Sequence, residues 1–425
     1  MTPETGRAVP WSRGQKVGLA AILGLGVLIR VLLLPTQGVR GDLDQFVLWV
    51  HGIAVNGLPR AYDQNLSFPP VMAFIWGVLA AVQPAFQTVT DASDPGIRAL
   101  MKTPASIADL GIALVCVYAL RDRPRWALVA AAGIALQPAV IDVSAWWGQY
   151  ESIYLLSAMA AVVFAIRGRL GLAAALLAIS IMTKPQALPF LIPFAAWFWA
   201  QGGIRGFARA AIVGAVVVLI LWLPFIAADG PRNYLHNLAI YQGEILNILS
   251  LRAWNMWWLV QSVVAGGSFV ADDVAFLGPV SLRLVGYAIT AVLALVVALA
   301  IVRDPKPRTL ILGLAATTLI AFSFLTSMHE RYAFGVVGFL MLLVPDRTVR
   351  ALAIAFGIVF TANLLAAAPP TPQIAALLPI DGWLGIAGSV TILALTVAMM
   401  RLTGVGQPPR SEAPDPASGP APAMP

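Results

Sequence analysis

What most constrains this chain is the recurrence of apolar runs close to the ~20 residues that a helix needs to cross a bilayer. The first, Val17 to Leu34, carries a single charge, Arg30. Backbone amides in hydrocarbon have no water to bond, so a run of this kind satisfies them internally and is helical. Composition removes the soluble alternative, since 59% of the 425 residues are hydrophobic and 11% are charged, against about 25% charged in soluble domains. The one cysteine, Cys116, lies inside an apolar run, so no disulfide framework is expected. No small-residue cleavage pattern follows the first run, which therefore reads as a retained span rather than a signal peptide.

The formal charge of +7 is not a nucleic-acid signature. Its basic residues sit in short loops between apolar runs: "RDRPR" at 121–125, "RGR" at 167–169, Arg205 with Arg209, "RDPKPR" at 303–308 and "DRTVR" at 346–350. Placing all of them on the cytoplasmic side, as the positive-inside rule requires, predicts spans at 17–34, 103–120, 126–143, 151–166, 170–183, 185–200, 210–228, 281–302, 309–327, 332–345, 351–368 and 382–401. The expected fold class is all-α, a polytopic transmembrane helical bundle of about 12 spans. Residues 1–16 and a Pro/Ala-rich, disordered tail at 402–425 are then cytoplasmic. External loops at 35–102 and 229–280 contain interfacial helices, at 69–86 and 251–260. The protein is expected in the cell membrane, multi-pass, with both termini cytoplasmic.

Ionisable groups near a bilayer are costly and mark function by default. Outside the basic clusters they gather at the expected external ends. Asp42, Asp44 and His51 open the first loop, "WWGQYES" (146–152) and "TKPQ" (183–186) join spans, and so does "SMHERY" (327–332). Lys184, His329 and Arg331 are candidate donor-phosphate binders, Arg by a two-pronged fork and Lys as a point charge. A carboxylate opposite them would take the proton of an incoming hydroxyl, and Asp42 is the candidate base. Asp44, Gln149, Tyr150, Glu151, Gln186, Asn255 and Trp257 are candidate supporting or sugar-binding groups. Together these imply glycosyl transfer from a lipid-phosphate sugar on the external face.

The same residues resemble the GT-C glycosyltransferases, in particular the endoplasmic-reticulum glucosyltransferases that use dolichyl-phosphate glucose, and their prokaryotic relatives. "GDLDQFVLW" (41–49) is similar to that family's Gly-Asp-aromatic-Glu segment ending in Trp: Gly41, Asp42 and Trp49 match, with Asp44 where the family has Glu. "FPP" (68–70) resembles its Tyr-Pro-Pro and "HER" (329–331) its His-Glu-Lys, while Val47 and Leu48 replace an Arg-His pair. The motif order covers residues 17–345 as a GT-C-like catalytic region, and the added spans within 346–401 carry none of it. The resemblance implies an inverting hexosyltransferase moving mannose or glucose from a polyprenyl-phosphate sugar to an envelope glycan, lipid or protein acceptor. Expected partners are that sugar lipid, the acceptor and membrane lipids. No cofactor beyond the sugar lipid is expected, and no metal.

Other readings exist for these residues. Asp42, followed by Gln45 three positions on, is arranged like a capping box and could only start a helix. Asp42 and Asp44 also spell Asp-x-Asp, a metal motif, but two helical residues two apart diverge by about 200° and would not share a ligand. Lys184 could simply snorkel to an interface, Glu330 and Arg331 could flank a turn, and Trp146, Trp147, Trp257 and Trp258 could form an interfacial belt. The rival function is a secondary transporter or flippase for a small anionic or lipid-linked substrate, which would place its ionisable groups near mid-span in repeated halves. A scaffold for envelope enzymes is a third reading, and it leaves Asp42, Lys184 and Arg331 unexplained. The topology predicts that cysteines placed at Asp63 and Asp273 react with an impermeant thiol reagent in intact cells; reaction only after permeabilisation would overturn it.

Overall fold

The computed structural model describes residues 10–405. The expectations for most of the N-terminal segment and of the tail lie outside the described residues. Helices dominate: α1 (Arg13–Leu33), α2 (Arg40–Asn56), α3 (Pro70–Val82), α4 (Pro95–Ala119), α5 (Pro124–Ala135), α6 (Pro138–Ile141), α7 (Glu151–Ile166), α8 (Leu170–Ile181), α9 (Leu191–Trp222) and α10 (Gly230–Glu244). After a two-residue strand β1 (Ser250–Leu251) come α11 (Met256–Val264), the hairpin β2 (Ala275–Leu277) and β3 (Val280–Ser281), α12 (Leu282–Arg303) and α13 (Pro307–Phe324). The chain ends with β4 (Met328–His329), α14 (Gly335–Leu342), α15 (Arg347–Ala367), α16 (Pro372–Leu377) and α17 (Gly382–Leu402). Starts are set locally: proline opens α3, α4, α5 and α13, where its missing N–H costs nothing, and Ser12 with Gln15 forms a capping box on α1.

Every expected span overlaps a helix, and the protein is an all-α polytopic membrane protein. The count of twelve is not reached on length and composition. Among the described residues 7 helices are long and apolar enough to cross, or 8 if α5 and the bent segment after it, 138–147, make one span. Helices α7, α8 and α14 have 16, 12 and 8 residues, so at 1.5 Å per residue they are roughly 24, 18 and 12 Å long against a hydrocarbon core of about 30 Å. The long apolar segment Pro185–Ala228 is a hairpin. Gly203 leaves helical geometry (φ 56°, ψ −155°), and Ile192 and Val218 line one cavity, although a straight helix would hold them roughly 39 Å apart.

Four of the five basic loops gather at one end. Arg167 and Arg121 lie over the Tyr118 ring, Arg350 lies over Trp126 at 4.6 Å, and Arg308 pairs with Asp346 at 3.0 Å and donates to the Leu402 carbonyl. At the opposite end α2 and α3 cover the bundle. Helix α3, 13 residues and roughly 20 Å, is too short to cross and packs on α2 in an aromatic core of Phe46, Trp49, Trp76 and Tyr150. The first long loop ends earlier than expected, because Asp94 caps α4 and starts that helix at Pro95 rather than at 103. The aromatic helix of the second loop begins at Met256 rather than 251, because residues 250–251 pair in parallel with 328–329 and Asn255 caps α11.

One buried ion pair locks the first span to the bundle. Arg30 and Asp109 meet at 2.8 Å with 2% and 0% of their side chains exposed. Arg30 also donates to the carbonyls of Gly26 and Ala135, and the hydroxyls of Ser144 and Ser152 donate to Asp109. Breaking such a pair from one side strands a charge and costs about 3–5 kcal/mol. Asp109→Ala is therefore expected to lower the melting temperature in detergent sharply, and Arg30→Met with Asp109→Leu to recover part of the loss; equal melting of all three proteins would show that the pair does not hold α1.

Candidate functional site

Asp42 sits in the first turn of α2, where the helix dipole favours a carboxylate. It caps nothing: the N-cap is Val39, with no side-chain bond, so the capping-box reading fails. The chain turns into α2 at Gly38 (φ 59°), where a Cβ would sit 2.4 Å from the Trp146 carbonyl oxygen; Gly41, already helical, has open space around it. Opposite lies a π-helical turn, Asp142–Trp147, closed by Gly148 at φ 96°. A Cβ there would meet the Leu43 side chain at 2.5 Å, so only glycine lets this turn close on α2. Its residues then reach Asp42: Trp147 Nε1 donates to Oδ2 at 2.8 Å and Gln149 Nε2 donates to the same atom at 2.5 Å. Among the described residues nothing bonds Oδ1, and the side chain is 34% exposed.

Behind Asp42 the charges are dry. Lys184 is extended because Pro185 follows it, and its Nζ meets Glu151 Oε1 at 2.6 Å and Gln149 Oε1 at 3.1 Å. Glu151, the first residue of α7, also lies 3.4 Å from Arg331 Nε. Arg331 pairs with Glu330 at 2.9 Å and stands 4.0 Å from Asp42. Aromatic faces complete the enclosure, with Lys184 5.3 Å from the Phe68 ring centroid and Arg331 5.1 Å from that of Trp147. Lys184 is 3% exposed and does not snorkel. Burial and the neighbouring Arg331 pull it below the ordinary lysine range, against the opposing pull of Glu151.

The segment carrying His329 and Arg331 is clamped from behind. Ser327 holds a left-handed conformation (φ 62°), a strained one for a residue with a Cβ, and its hydroxyl donates to the carbonyl of Leu246. Strand pairing sets Leu251 beside His329, and the Asn363 side chain, from α15, donates to the Arg252 carbonyl and accepts from the Trp254 amide.

Of the candidates read from sequence, the fold brings together Asp42, Gln149, Glu151, Lys184, His329 and Arg331. Gln186 stands at the edge, lining a cavity of about 480 Å³ with Tyr332 and Ser327. Asp44 points elsewhere: it pairs with Arg40 at 2.9 Å and accepts from the Ala92 amide, as the 200° divergence required. Tyr150 is buried in the α2–α3 core and donates to the Met101 carbonyl. Asn255 caps α11, and Trp257 donates to the Phe324 carbonyl, so both are framework. Trp147, read as belt, is in the site, and the Arg30–Asp109 pair was overlooked although each charge interrupts an apolar run. Among the described residues no three of His, Cys, Asp and Glu converge as metal ligands.

Acid should loosen this cluster. Burial and Arg331 push His329 below 6.5, against the pull of Glu330. Below about 6.5 the unfolded chain then binds a proton that the folded chain refuses, so stability falls as pH falls through that range. Burial tends to raise Glu330, but its contacts with His329 and the charge of Arg331 outweigh this and bring it from 4.5 to about 2; its contribution is present above 4.5 and lost on the way down to 2. Melting temperatures measured from pH 7.5 to 5 should fall for the native protein and stay flatter for His329→Gln; parallel curves would remove His329 as the responsible group.

No family profile matches the chain and no curated protein sequence matches it. Among solved structures, ArnT from Cupriavidus metallidurans in the apo state is similar with a TM-score of 0.50 at 14% identity, covering 92% of this chain and 78% of that one. ArnT bound to undecaprenyl phosphate gives 0.48 at 16% identity, over 91% and 77%. The oligosaccharyltransferase of Archaeoglobus fulgidus gives 0.45 at 12% identity over 92% of this chain, which spans 56% of that protein. At 14% identity the likeness to ArnT shows a shared fold, which agrees with the fold that the motif resemblance led one to expect.

Proposed function

We propose that the protein is an inverting transferase that moves a hexose from a polyprenyl-phosphate sugar to an acceptor hydroxyl. The observation that carries this reading is the pairing of a half-exposed carboxylate, Asp42, with the dry cations Arg331 and Lys184 beside an apolar cavity. A lipid phosphate needs cations at an apolar mouth, and the cavity of about 480 Å³ starts at Pro185 and Tyr332, next to both. Arg331 Nη1 is spent on Glu330 and Nε faces Glu151, whereas Nη2, 4.0 Å from Asp42 Oδ2, makes no hydrogen bond among the described residues, which leaves a donor for a phosphate oxygen.

In this reading the acceptor hydroxyl attacks the anomeric carbon as Asp42 Oδ1 takes its proton. The bond from that carbon to the phosphate oxygen breaks, and its electron pair leaves with the lipid phosphate, held by Arg331 and Lys184. One displacement inverts the anomeric centre. Trp147 and Gln149 fix Oδ2 and so aim Oδ1. Gln149 also accepts from Lys184, so a single amide ties base to cation. The acceptor class, the hexose and the external placement of the site belong to the same proposal, the last supported by the gathering of most basic loops at the opposite end.

Purified protein assayed with polyprenyl-phosphate mannose and polyprenyl-phosphate glucose tests it. General-base help is worth typically 10²–10⁴-fold, so Asp42→Asn should lose about that factor in kcat while still binding the sugar lipid. Arg331→Ala should weaken sugar-lipid binding more than Arg331→Lys, which keeps charge without the fork. An Asp42→Asn enzyme that turns over at the native rate would sink the assignment.

A further inference from the structure

From the basic end a groove of about 690 Å³ runs between α5, α14 and α15 toward the far end of α15. Along α15 it is lined from Arg350 through Ala353, Ile354, Gly357 and Ile358 to Leu365, one face of a helix over fifteen residue steps, or roughly 22 Å. One leaflet of hydrocarbon is about 15 Å deep, so the groove is long enough to hold an acyl chain lying along the bilayer normal. Ile354 and Ile358, on its wall, are 60% and 68% exposed, which in a membrane means open to lipid.

Its mouth is cationic. The Arg350 guanidinium carbon lies 4.6 Å from the centroid of the Trp126 ring and that of Arg125 lies 5.6 Å from the same ring. One indole thus holds two guanidinium groups at the level where the apolar lining ends. Arg350 spends one nitrogen on the Val344 carbonyl, and among the described residues neither arginine has a carboxylate within salt-bridge reach, unlike Arg308, which pairs with Asp346. Two cations without anions above an apolar channel long enough for an acyl chain are the complement of an anionic phospholipid, and basic pockets between membrane helices bind such headgroups. We propose that this groove is a binding site for an anionic glycerophospholipid, its phosphate on Arg125 and Arg350 and one acyl chain between α5 and α15. The site is independent of the transferase reading.

Native mass spectrometry of the detergent-solubilised full-length chain, titrated with dioleoyl-phosphatidylglycerol and with dioleoyl-phosphatidylcholine, tests it. Each arginine near a membrane surface is worth about fivefold in affinity for anionic lipid. Phosphatidylglycerol should therefore bind in preference to phosphatidylcholine, Arg350→Gln should lower that preference about fivefold, and Arg125→Gln with Arg350→Gln about 25-fold. Ala353→Leu, which fills the groove and leaves the charge alone, should weaken both lipids. Arg401→Gln, an exposed charge outside the groove, should change nothing. Equal binding of the two lipids, an unchanged preference in the double variant, or unchanged binding in a folded Ala353→Leu protein would each overturn the proposal.

Discussion

Glu151 is where the site is held together, because one of its carboxylate oxygens faces both Lys184 and Arg331. In a dry interior each of those cations would be costly alone, and one shared carboxylate satisfies both. Its own position is inherited. Ser152, the next residue, is bound through its hydroxyl to Asp109, and Asp109 is held by Arg30. The π-helical turn that presents Trp147 and Gln149 to Asp42 hangs on the same carboxylate through Ser144. A pair buried among α1 and α4 thus places both halves of the candidate chemistry.

The other support comes from the end of the chain, which carries none of the recognised motifs. Helix α15 supplies Asn363 and the Ala367 carbonyl, which clamp the backbone and side chain of Arg252. Trp254 packs so closely on α17 that a Cβ on Gly388 would sit 2.1 Å from its ring. These contacts hold β1 against β4, and β4 opens into the turn bearing Arg331. The last helices therefore belong to the site's scaffold although none of their side chains enters it.

Charge is divided along the molecule. Cations at one end rest on aromatic faces, on carbonyls or on the surface carboxylate of Asp346, whereas at the other end Lys184 and Arg331 are buried against Glu151 and Glu330, and Arg98 and Lys102 are buried against backbone carbonyls. Exposed pairs are worth little, while a charge that has left water is costly unless it is paired or hydrogen-bonded.

Much of this was legible in the chain itself. Apolar runs, prolines and glycines act within a turn or two, so the existence of the helices, the broken segment at Gly203 and the separation of most basic loops from the acidic motifs follow from sequence, whereas the start of α4 moved by eight residues and the expected twelve spans are not reached on length and composition. Chemistry-bearing residues near one another could also be recognised, and Asp42, Gln149, Glu151, Lys184 and Arg331 do meet. What sequence could not decide was which polar groups meet and which merely cap or brace. Asp44, Tyr150, Asn255 and Trp257 are the same residue types in equally suggestive places, yet each spends its polar atoms on the framework. Trp147, the Asp42 partner, lies 105 positions away in the chain, and Asp109 lies 79 from Arg30. The side of a helix on which a residue falls, and what waits there, is set by packing between distant segments, and only the tertiary structure holds that information.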